Sequence, residues 1–260
     1  MSDRIVIIGS GNVASHLARG FSHAGCEIVQ VFSHSIDHAR RLAEEVGSAQ
    51  AVANLSDLIT DADFYLIAVT DAAVAKVAES MPPVSGLVAH TSGSVPLTAL
   101  TPASSHTAVL YPLQTFTRDA SVCLPEVPFF TEACDSETLA TVDRYASLLS
   151  SRVYHADSAR RQTLHIAGVL SCNFVNYLWD CTSQILAADG YDFSVVEPLI
   201  RATLDKAVAL GPRASQTGPA MRCDVEVMRR HISLLDSDKA DLYKTLTNSI
   251  LKTHQLDCKL

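Results

Sequence analysis

A line of polar side chains on a long apolar helical stretch is the part of the sequence best suited to proton chemistry. On an ideal helix, Arg161, His165, Cys172 and Asn176 fall within about 60° of one another, and Asn173 lies beside them. Such a stripe lines a cleft or makes hydrogen bonds that satisfy it internally. In a cleft, His165 is the predicted proton donor, since imidazole titrates near neutrality, and Asn173 is predicted to orient a ligand.

Hydroxyl and amide side chains follow the ends of two predicted strands. Thr91 and Ser92 come after the strand at residues 86–90, and Gln114 follows the strand at residues 109–113. Ligands of open α/β sheets bind beyond the carboxyl ends of the strands. We therefore predict Ser92 as a catalytic residue and Thr91 and Gln114 as substrate-binding residues. The alternatives are a Ser-Gly turn at residues 92–93 and simple loop packing of Gln114.

A loop that enters a helix in the second half of the chain carries Arg222 and Asp224. Asp224 is a natural N-cap. The guanidinium of Arg222 can bind a carboxylate through two parallel hydrogen bonds, so Arg222 is a predicted substrate-binding residue. An Arg–Asp pair that shapes the loop is the alternative. Two further polar residues, Asp71 and His90, are expected to serve as a helix N-cap and as a core histidine.

The first turn of the chain has the spacing of a dinucleotide-binding fingerprint. Gly9, Gly11 and Ala14 form G-x-G-x-x-A between an apolar strand and a helix. The glycines permit a tight turn and close approach of a pyrophosphate, which the helix N-terminus attracts. A glycine turn without a ligand is the alternative. The predicted cofactor-binding residues are Gly9, Ser10, Gly11, Asn12, Val13, Ser33, His34, Ser35, Ala68, Val69 and Thr70.

The end of the second strand indicates which dinucleotide binds. An acidic residue there would bind the adenine ribose and exclude a 2′-phosphate. The chain instead has Ser33, His34 and Ser35, and Arg40 or Arg41 follows on the next helix. These side chains favour NADP (NADPH) as the cofactor; a polar turn without this role is the alternative.

The elements that position these residues alternate between strand and helix up to about residue 155, and only helices follow. This order predicts an α/β protein with a doubly wound, mostly parallel Rossmann sheet followed by an all-helical C-terminal domain. The predicted domains are residues 1–155, for NADP binding, and residues 156–260, for substrate binding and dimerisation. The predicted strands are residues 4–8, 27–32, 51–52, 64–69, 86–90, 109–113, 127–131 and 152–154. The predicted helices are residues 12–23, 36–46, 55–60, 72–80, 136–149, 156–188, 193–210, 224–235 and 239–252.

The composition excludes several classes of protein. The 260 residues are 48% hydrophobic and 18% charged, which is enough apolar material for a core and unlike a disordered chain. A formal net charge of −8 without a basic run argues against a nucleic-acid partner. The apolar start is too short for a signal peptide or a membrane span, so a cytoplasmic location without a membrane partner is expected.

The cysteines predict neither a metal site nor a disulfide framework. There are seven, at residues 26, 123, 134, 172, 181, 223 and 258, and none forms a C-x-x-C pair. An odd number cannot pair completely within the chain. Free, mostly buried thiols in a reducing compartment are expected.

Several segments together resemble a family of NADP oxidoreductases that join a Rossmann-like domain to an uncharacterised helical C-terminal domain. The segments are GSGNVASHLA, ADFYLIAVTDAAV, VAHTSGSVPL, YPLQTF, HIAGVLSCNFVNYL and TGPAMRCDVEVMRRHISLL. Such proteins are similar to pyrroline-carboxylate reductase, ketopantoate reductase and the deazaflavin-dependent NADP oxidoreductase. The resemblance implies a β-hydroxyacid-dehydrogenase-like architecture, an active site between the domains and a homodimer formed through the helices. Relatives usually carry His where this chain has Tyr111, so a catalytic role for that position is not expected here.

The predicted function is an NADP(H)-dependent oxidoreductase that transfers hydride to or from a C=O or C=N group of a small, acidic substrate. Two alternatives remain open on the sequence. One is a non-catalytic NADP(H)-binding sensor or partner-binding dimer, and the other is a helical scaffold with a vestigial Rossmann domain.

Overall fold

The computed structural model describes residues 2–47, 49–118 and 120–260, which form two compact units. Unit 1 is Met1–Asn173 and unit 2 is Phe174–Leu260. Residue 155, where the sequence places the domain boundary, is the last residue of the last strand. The packing of unit 1 extends 18 residues further, through one more helix, because a buried arginine of that helix bonds to the loop after a central strand.

Unit 1 is built on an eight-stranded sheet in the order β3-β2-β1-β4-β5-β6-β7-β8. All pairs are parallel except β6 with β7. The first six strands have the Rossmann order, which confirms the predicted α/β class. The strands are β1 Arg4–Ile8, β2 Glu27–Phe32, β3 Gln50–Val52, β4 Phe64–Ile67, β5 Leu87–His90, β6 Thr107–Pro112, β7 Phe129–Ala133 and β8 Val153–His155.

Both faces of this sheet are covered. In β1, Ile5 and Ile7 point into one apolar core, and Val6 and Ile8 point into the other. A parallel strand that is buried on both faces is a nearly continuous hydrophobic run, and residues 5–8 of β1 and all four residues of β4 have this composition. The helices of unit 1 are α1 Asn12–His23, α2 Ile36–Glu45, α3 Asp71–Ser80, α4 Ser136–Leu149 and α5 Ser158–Gly168.

The prediction of one regular helix at residues 156–188 is wrong, because two α-helices joined by a π-helical turn occupy this stretch. The α-helix α5 ends at Gly168, and a π-helical turn, Val169–Asn173, follows it. A π turn contains an extra residue per turn, so angles calculated for an ideal helix do not hold beyond Gly168. Similarly, the predicted helix at 193–210 begins with a 3₁₀ segment, Phe193–Val196.

Unit 2 is helical and has a small core of its own. The buried apolar residues Ala220, Met228 and Leu251 form its central cluster. Many large apolar side chains stay exposed, and α7 contains no buried residue. The helices of unit 2 are α6 Phe174–Ala188, α7 Glu197–Leu210, α8 Val225–Leu234 and α9 Ser237–Thr253. Within the described residues, no helix combines the length and apolarity needed to cross a membrane.

The expectation that all cysteines are free and mostly buried is wrong. Cys223 and Cys258 form a disulfide with their Cα atoms 5.8 Å apart, 35 residues apart in the chain. The pair arises because the C-terminal tail packs back on the cluster around Met228, which spacing in the sequence cannot show. The free cysteines are Cys26 and Cys181, which are buried, and Cys123, Cys134 and Cys172, which are exposed.

Candidate functional site

The turn after β1 brings the ends of three strands together and requires glycine. Gly9 has a φ of +128°, and a Cβ atom there would lie 2.2 Å from the carbonyl oxygen of Ala68, just after β4. Its amide donates to the carbonyl oxygen of Phe32, at the end of β2, over 2.9 Å. An L side chain at residue 9 would therefore separate β1 from its neighbours at the point where a dinucleotide would cross the sheet.

The start of α1 offers the donors that a pyrophosphate needs. The N-cap residue Gly11 makes no side-chain capping bond, and a Cβ atom built on it would have no heavy atom within 4 Å. Backbone amides at a helix N-terminus bind anions through their partial positive charge. The amide side chain of Asn12 is engaged elsewhere, because it donates to the carbonyl oxygen of Phe116 over 2.9 Å. Asn12 thus holds the loop after β6 against α1.

The loop after β2 carries the groups predicted to select the cofactor. The hydroxyl of Ser10 donates to the Oγ of Ser33 over 2.8 Å, and both residues line the same cavity as His34. Ser35 does not line this cavity; it is the N-cap of α2 and accepts from the amide of His38. No carboxylate lies among the cavity's described lining residues. Arg40, a candidate partner for a phosphate, is exposed and pairs with Asp37 at 3.5 Å.

The glycine turn, the start of α1 and the loop after β2 line a cavity of about 450 Å³ at the carboxyl ends of β1, β2 and β4. NADP fits this cavity for two reasons. The glycine turn and the uncapped start of α1 leave room and donors for the pyrophosphate, and the loop after β2 has hydroxyl groups where an acid would repel the 2′-phosphate. Ten of the eleven predicted cofactor residues lie here. The lining consists of Gly9, Ser10, Gly11, Asn12, Val13, Phe32, Ser33, His34, Ala68, Val69, Thr70, Thr91, Gln114 and Phe116.

A second cavity, of about 630 Å³, adjoins the first and shares five lining residues with it: Val13, Val69, Thr91, Gln114 and Phe116. The predicted catalytic residues Ser92, His165 and Asn173 all line this second cavity. We call the first the dinucleotide cavity and the second the substrate cavity. Among the described lining residues of the substrate cavity, Asp71 is the side chain with a fixed charge, and there is no lysine or arginine.

Arg161 is a structural part of the site rather than a ligand group. Its side chain is fully buried, and it pairs with Glu132 and donates to the carbonyl oxygens of Ser92 and Val95. A buried guanidinium is tolerated only when it is paired and hydrogen-bonded. The residues of the predicted polar stripe therefore have different roles. Arg161 fixes the loop after β5, whereas His165, one turn later, lines the substrate cavity.

His165 meets a residue that the sequence did not assign to the site. The Nδ1 atom of His165 lies 3.3 Å from the hydroxyl of Tyr111, at the end of β6. Burial is the main reason that the pKa of Tyr111 is raised. Gly93 lets the loop after β5 approach both side chains closely, since a Cβ at residue 93 would lie within 2.9 Å of each. The sequence signal that could have identified Tyr111 is its position near the carboxyl end of a strand, three residues before the predicted ligand residue Gln114.

The loop after β5 is an ordered turn. The Oγ of Ser92 accepts from the amides of Ser94 at 3.1 Å and of Val95 at 3.0 Å, which supports the turn alternative. The Nδ1 of His90 accepts from the Ser92 amide at 3.1 Å. Burial, together with the charge of Arg161, lowers the pKa of His90 to about 4, so His90 is a neutral core histidine, as predicted.

Two other predicted residues, Gln114 and Asp71, differ in their placement. Gln114 lines both cavities, and its carbonyl oxygen accepts from the Thr115 amide at 2.8 Å, within its own loop. Asp71 is not the N-cap of α3, because Thr70 occupies that position; the Asp71 carboxylate accepts from the hydroxyl of Ser94. The cap expected at Asp71 was wrong by one residue, since helix ends are weakly specified by sequence.

Arg222 belongs to unit 2, whereas both cavities belong to unit 1. It ends a short 3₁₀ helix, and the next residue, Cys223, has a φ of 51° and is disulfide-bonded. Asp224 caps α8 by accepting from the Val227 amide at 3.3 Å, as predicted. Among the described residues, Arg222 makes no ion pair with Asp224. Among all the residues that the structure describes, no group of three or more His, Cys, Asp or Glu side chains could hold a metal ion.

The sheet order, the glycine turn and the open helix start define unit 1 as a Rossmann dinucleotide-binding fold. The family described as "NADP oxidoreductase coenzyme F420-dependent" matches residues 4–90, and "Domain of unknown function (DUF2520)" matches residues 127–250. A Bacteroides fragilis protein, provisionally described as an NADP oxidoreductase, is 37% identical, with coverage of 96% of this chain and 98% of that one and a TM-score of 0.90. The chain belongs to this NADP oxidoreductase family, which confirms the predicted family and the predicted cofactor, NADP.

More distant structures share the fold. Protein TM1727 from Thermotoga maritima is 21% identical, covers 96% of this chain and 99% of its own, and has a TM-score of 0.78. A reductive aminase from Aspergillus terreus, solved with NADPH and ethyl-5-oxohexanoate, is 15% identical, covers 100% of this chain and 97% of its own, and has a TM-score of 0.75. Among curated proteins, no sequence matches the chain.

Proposed function

We propose that the chain is an NADPH-dependent reductase that adds hydride to the carbon of a C=O or C=N group in a small molecule. The observation that carries this proposal is the junction of the two cavities. Val69, Thr91 and Gln114 line both, so a dinucleotide on the glycine turn would present its far end to the substrate cavity. Bound NADPH supplies a hydride, and the protein supplies position and protons.

The chain's own groups would divide this work. The amides at the start of α1 would hold the pyrophosphate, and Ser10, Ser33 and His34 would hold the 2′-phosphate. The substrate cavity offers hydroxyl and imidazole donors, of which His165 is the proposed source of the proton that the substrate receives. Ser92 and Asn173 would position the substrate, and both line the cavity with His165. The distant similarity to a reductive aminase, in a structure that holds NADPH, is consistent with reduction of C=O or C=N compounds.

The acidic character of the substrate rests on Arg222 alone. The described lining of the substrate cavity contains no arginine or lysine, and Asp71 would disfavour a nearby carboxylate. A carboxylate substrate is therefore proposed only with Arg222 as its partner. Replacement of Arg222 by Met should raise KM for an acidic substrate and leave KM for a neutral one unchanged.

We also propose that a homodimer forms through unit 2. Exposed apolar side chains on α6 and α7 include Phe174, Leu199, Leu204 and Val208, which are 57%, 67%, 63% and 78% exposed. Soluble monomers rarely expose large apolar patches. A second copy of the chain, related by a two-fold axis, would cover this surface. A cytoplasmic location remains part of the same proposal.

Calorimetric titration with NADPH and NADH tests the cofactor site, and a panel of ketones, 2-oxo acids and cyclic imines tests turnover. In the Ser33→Asp variant, an acid would stand beside Ser10 and repel a 2′-phosphate. We expect NADPH affinity to fall at least tenfold relative to NADH, by about 1.4 kcal/mol or more. Ser35→Asp, outside the cavity, is the matched control and should not change this preference. Tight NADPH binding without oxidation across the panel would instead favour the non-catalytic sensor.

A further inference from the structure

The contact between Tyr111 and His165 joins two elements that are far apart in the chain. Tyr111 is the penultimate residue of β6 and His165 lies on α5, 54 residues later, yet the hydroxyl oxygen and Nδ1 are 3.3 Å apart. The two rings meet edge to face, with centroids 6.2 Å apart. Both side chains line the substrate cavity, next to the residues that it shares with the dinucleotide cavity.

The surrounding residues hold this contact in place. Any side chain at residue 93 would collide with the pair, since a Cβ atom would lie 2.8 Å from Cζ of Tyr111 and 2.9 Å from Nδ1 of His165. Arg161, one helical turn before His165, fixes α5 to the carbonyl oxygen of Ser92 over 3.1 Å. The loop after β5 therefore sets the distance between the phenol and the imidazole, and both can be oriented before a ligand binds.

The two side chains differ in their access to water. Tyr111 is 8% exposed, whereas His165 is only partly buried. A proton from solvent would therefore reach the imidazole first and the phenol second. This order suits a relay in which the deeper group meets the substrate.

We propose that Tyr111 and His165 act as one proton relay and that the hydroxyl of Tyr111 is the group that protonates the substrate. This inference rests on the proposed reductase function. As the substrate carbon receives the hydride, the O–H bond of Tyr111 breaks and the proton forms a new bond to the substrate oxygen or nitrogen. The proton on Nδ1 of a protonated His165 then moves to the phenolate oxygen. His165 then takes up a proton from bulk solvent, so each turnover consumes one hydride from NADPH and one proton from solvent.

The charges around the pair support this direction of transfer. Burial raises the pKa of Tyr111, so the phenol keeps its proton at neutral pH and a phenolate formed in turnover is rapidly neutralised. Asp71 adds to this shift and Arg161 opposes it, although Arg161 is itself paired with Glu132. His90 stays neutral in the core and does not compete for the proton. Among the described residues that line the substrate cavity, the remaining titratable group is the Cys172 thiol.

The Tyr111→Phe variant tests the relay because it removes the hydroxyl and keeps the ring. General acid catalysis contributes about 10²–10⁴-fold to a rate, so we expect kcat to fall at least 100-fold on any substrate that the wild type reduces. NADPH affinity, measured by calorimetry, should change less than twofold, which also shows that the variant is folded. Tyr154→Phe, an exposed tyrosine on β8, is the matched control and should keep its activity.

The pH dependence separates a relay from a purely structural contact. In the wild type, the pH profile of kcat should have a limb that falls as the pH rises, because each turnover needs a proton on His165. His165→Asn should lower kcat and remove this limb, whereas Cys172→Ser should retain the limb. Tyr111→Phe with nearly full kcat, or an unchanged limb in His165→Asn, would overturn the relay and leave the reductase proposal intact. A wild type that reduces nothing in the panel would overturn both.

Discussion

The two units of the chain bury their apolar residues very differently. In unit 1, strands β1 and β4 are almost completely buried, and Phe21, Phe64 and Tyr145 pack in one continuous cluster. In unit 2, the central cluster contains three buried apolar residues, and α7 contributes no buried residue. Leu199 and Val208 of α7 are 67% and 78% exposed, although residues of this size are usually found inside proteins.

This difference shows where each unit obtains its stability. Apolar burial contributes roughly 25 cal/mol for each Å² removed from water, and unit 1 achieves this burial within its own sheet and helices. Unit 2 has the apolar side chains but leaves them in solvent. The Rossmann unit is therefore expected to be stable as a monomer, whereas the helical unit should depend on what covers α6 and α7.

The largest expected effect is the loss of a core aromatic in unit 1. Phe64 is fully buried, packs edge to face on Phe21 and stacks on Tyr145 at 4.4 Å between ring centroids. Phe64→Ala should lower the free energy of unfolding by about 3–5 kcal/mol, because it removes this contact and leaves a cavity. Leu199→Ala, on α7, should cost less than about 1 kcal/mol in dilute protein. Urea unfolding of both variants measures the difference, and equal losses would contradict the comparison.

A buried histidine gives unit 1 a pH dependence that unit 2 is expected to lack. The pKa of His90 is lowered to about 4 in the folded chain, from an ordinary value of 6.5, chiefly by burial. As the pH falls below 6.5, the unfolded chain binds a proton that the folded chain does not, so stability decreases until about pH 4. The shift corresponds to a loss of up to about 3 kcal/mol.

The His90→Asn variant tests this effect, since asparagine can accept from the Ser92 amide but does not titrate. Unfolding free energies at pH 6.5 and pH 4 should differ less in His90→Asn than in the wild type. His254→Asn, at the end of α9 in unit 2, should behave as the wild type. Asp135, whose pKa is lowered to about 2 by hydrogen bonds from Thr138 and Cys134, acts in a lower pH range and does not interfere. An unchanged pH dependence in His90→Asn would rule out a neutral buried His90.

The sequence predicted most of unit 1 because its signals are local. The bounds of β1, α1, β2 and α4 agree with those expected from apolar runs and helical periodicity. The glycine turn was also predictable, because the steric need at Gly9 is shared by all folds of this class. The same locality explains the prediction of ten residues that line the dinucleotide cavity.

The substrate cavity was less predictable because its contacts connect distant parts of the chain. Arg161 and His165 lie on the same face of an ideal helix, which predicts the same role for both. Arg161 instead forms a buried ion pair with Glu132, which lies 29 residues earlier in the chain. The π turn at residues 169–173 has no propensity signal and changes the direction of every later side chain. Tyr111 became a candidate only when the structure placed its hydroxyl beside His165.

A charge on the exposed face of α7 should have the smallest effect on folding. It is also the sharpest test of the difference in apolar burial between the two units. Leu204 is 63% exposed, so Leu204→Asp should change the unfolding free energy of the monomer by less than about 1 kcal/mol. If a second copy covers α7, however, the carboxylate would be buried in the interface without a partner. We then expect the dimer dissociation constant, measured by sedimentation velocity, to rise at least tenfold. Leu148→Asp, an exposed leucine of α4 in unit 1, should leave association unchanged. A wild type that sediments as a monomer at micromolar concentration would contradict the proposed homodimer.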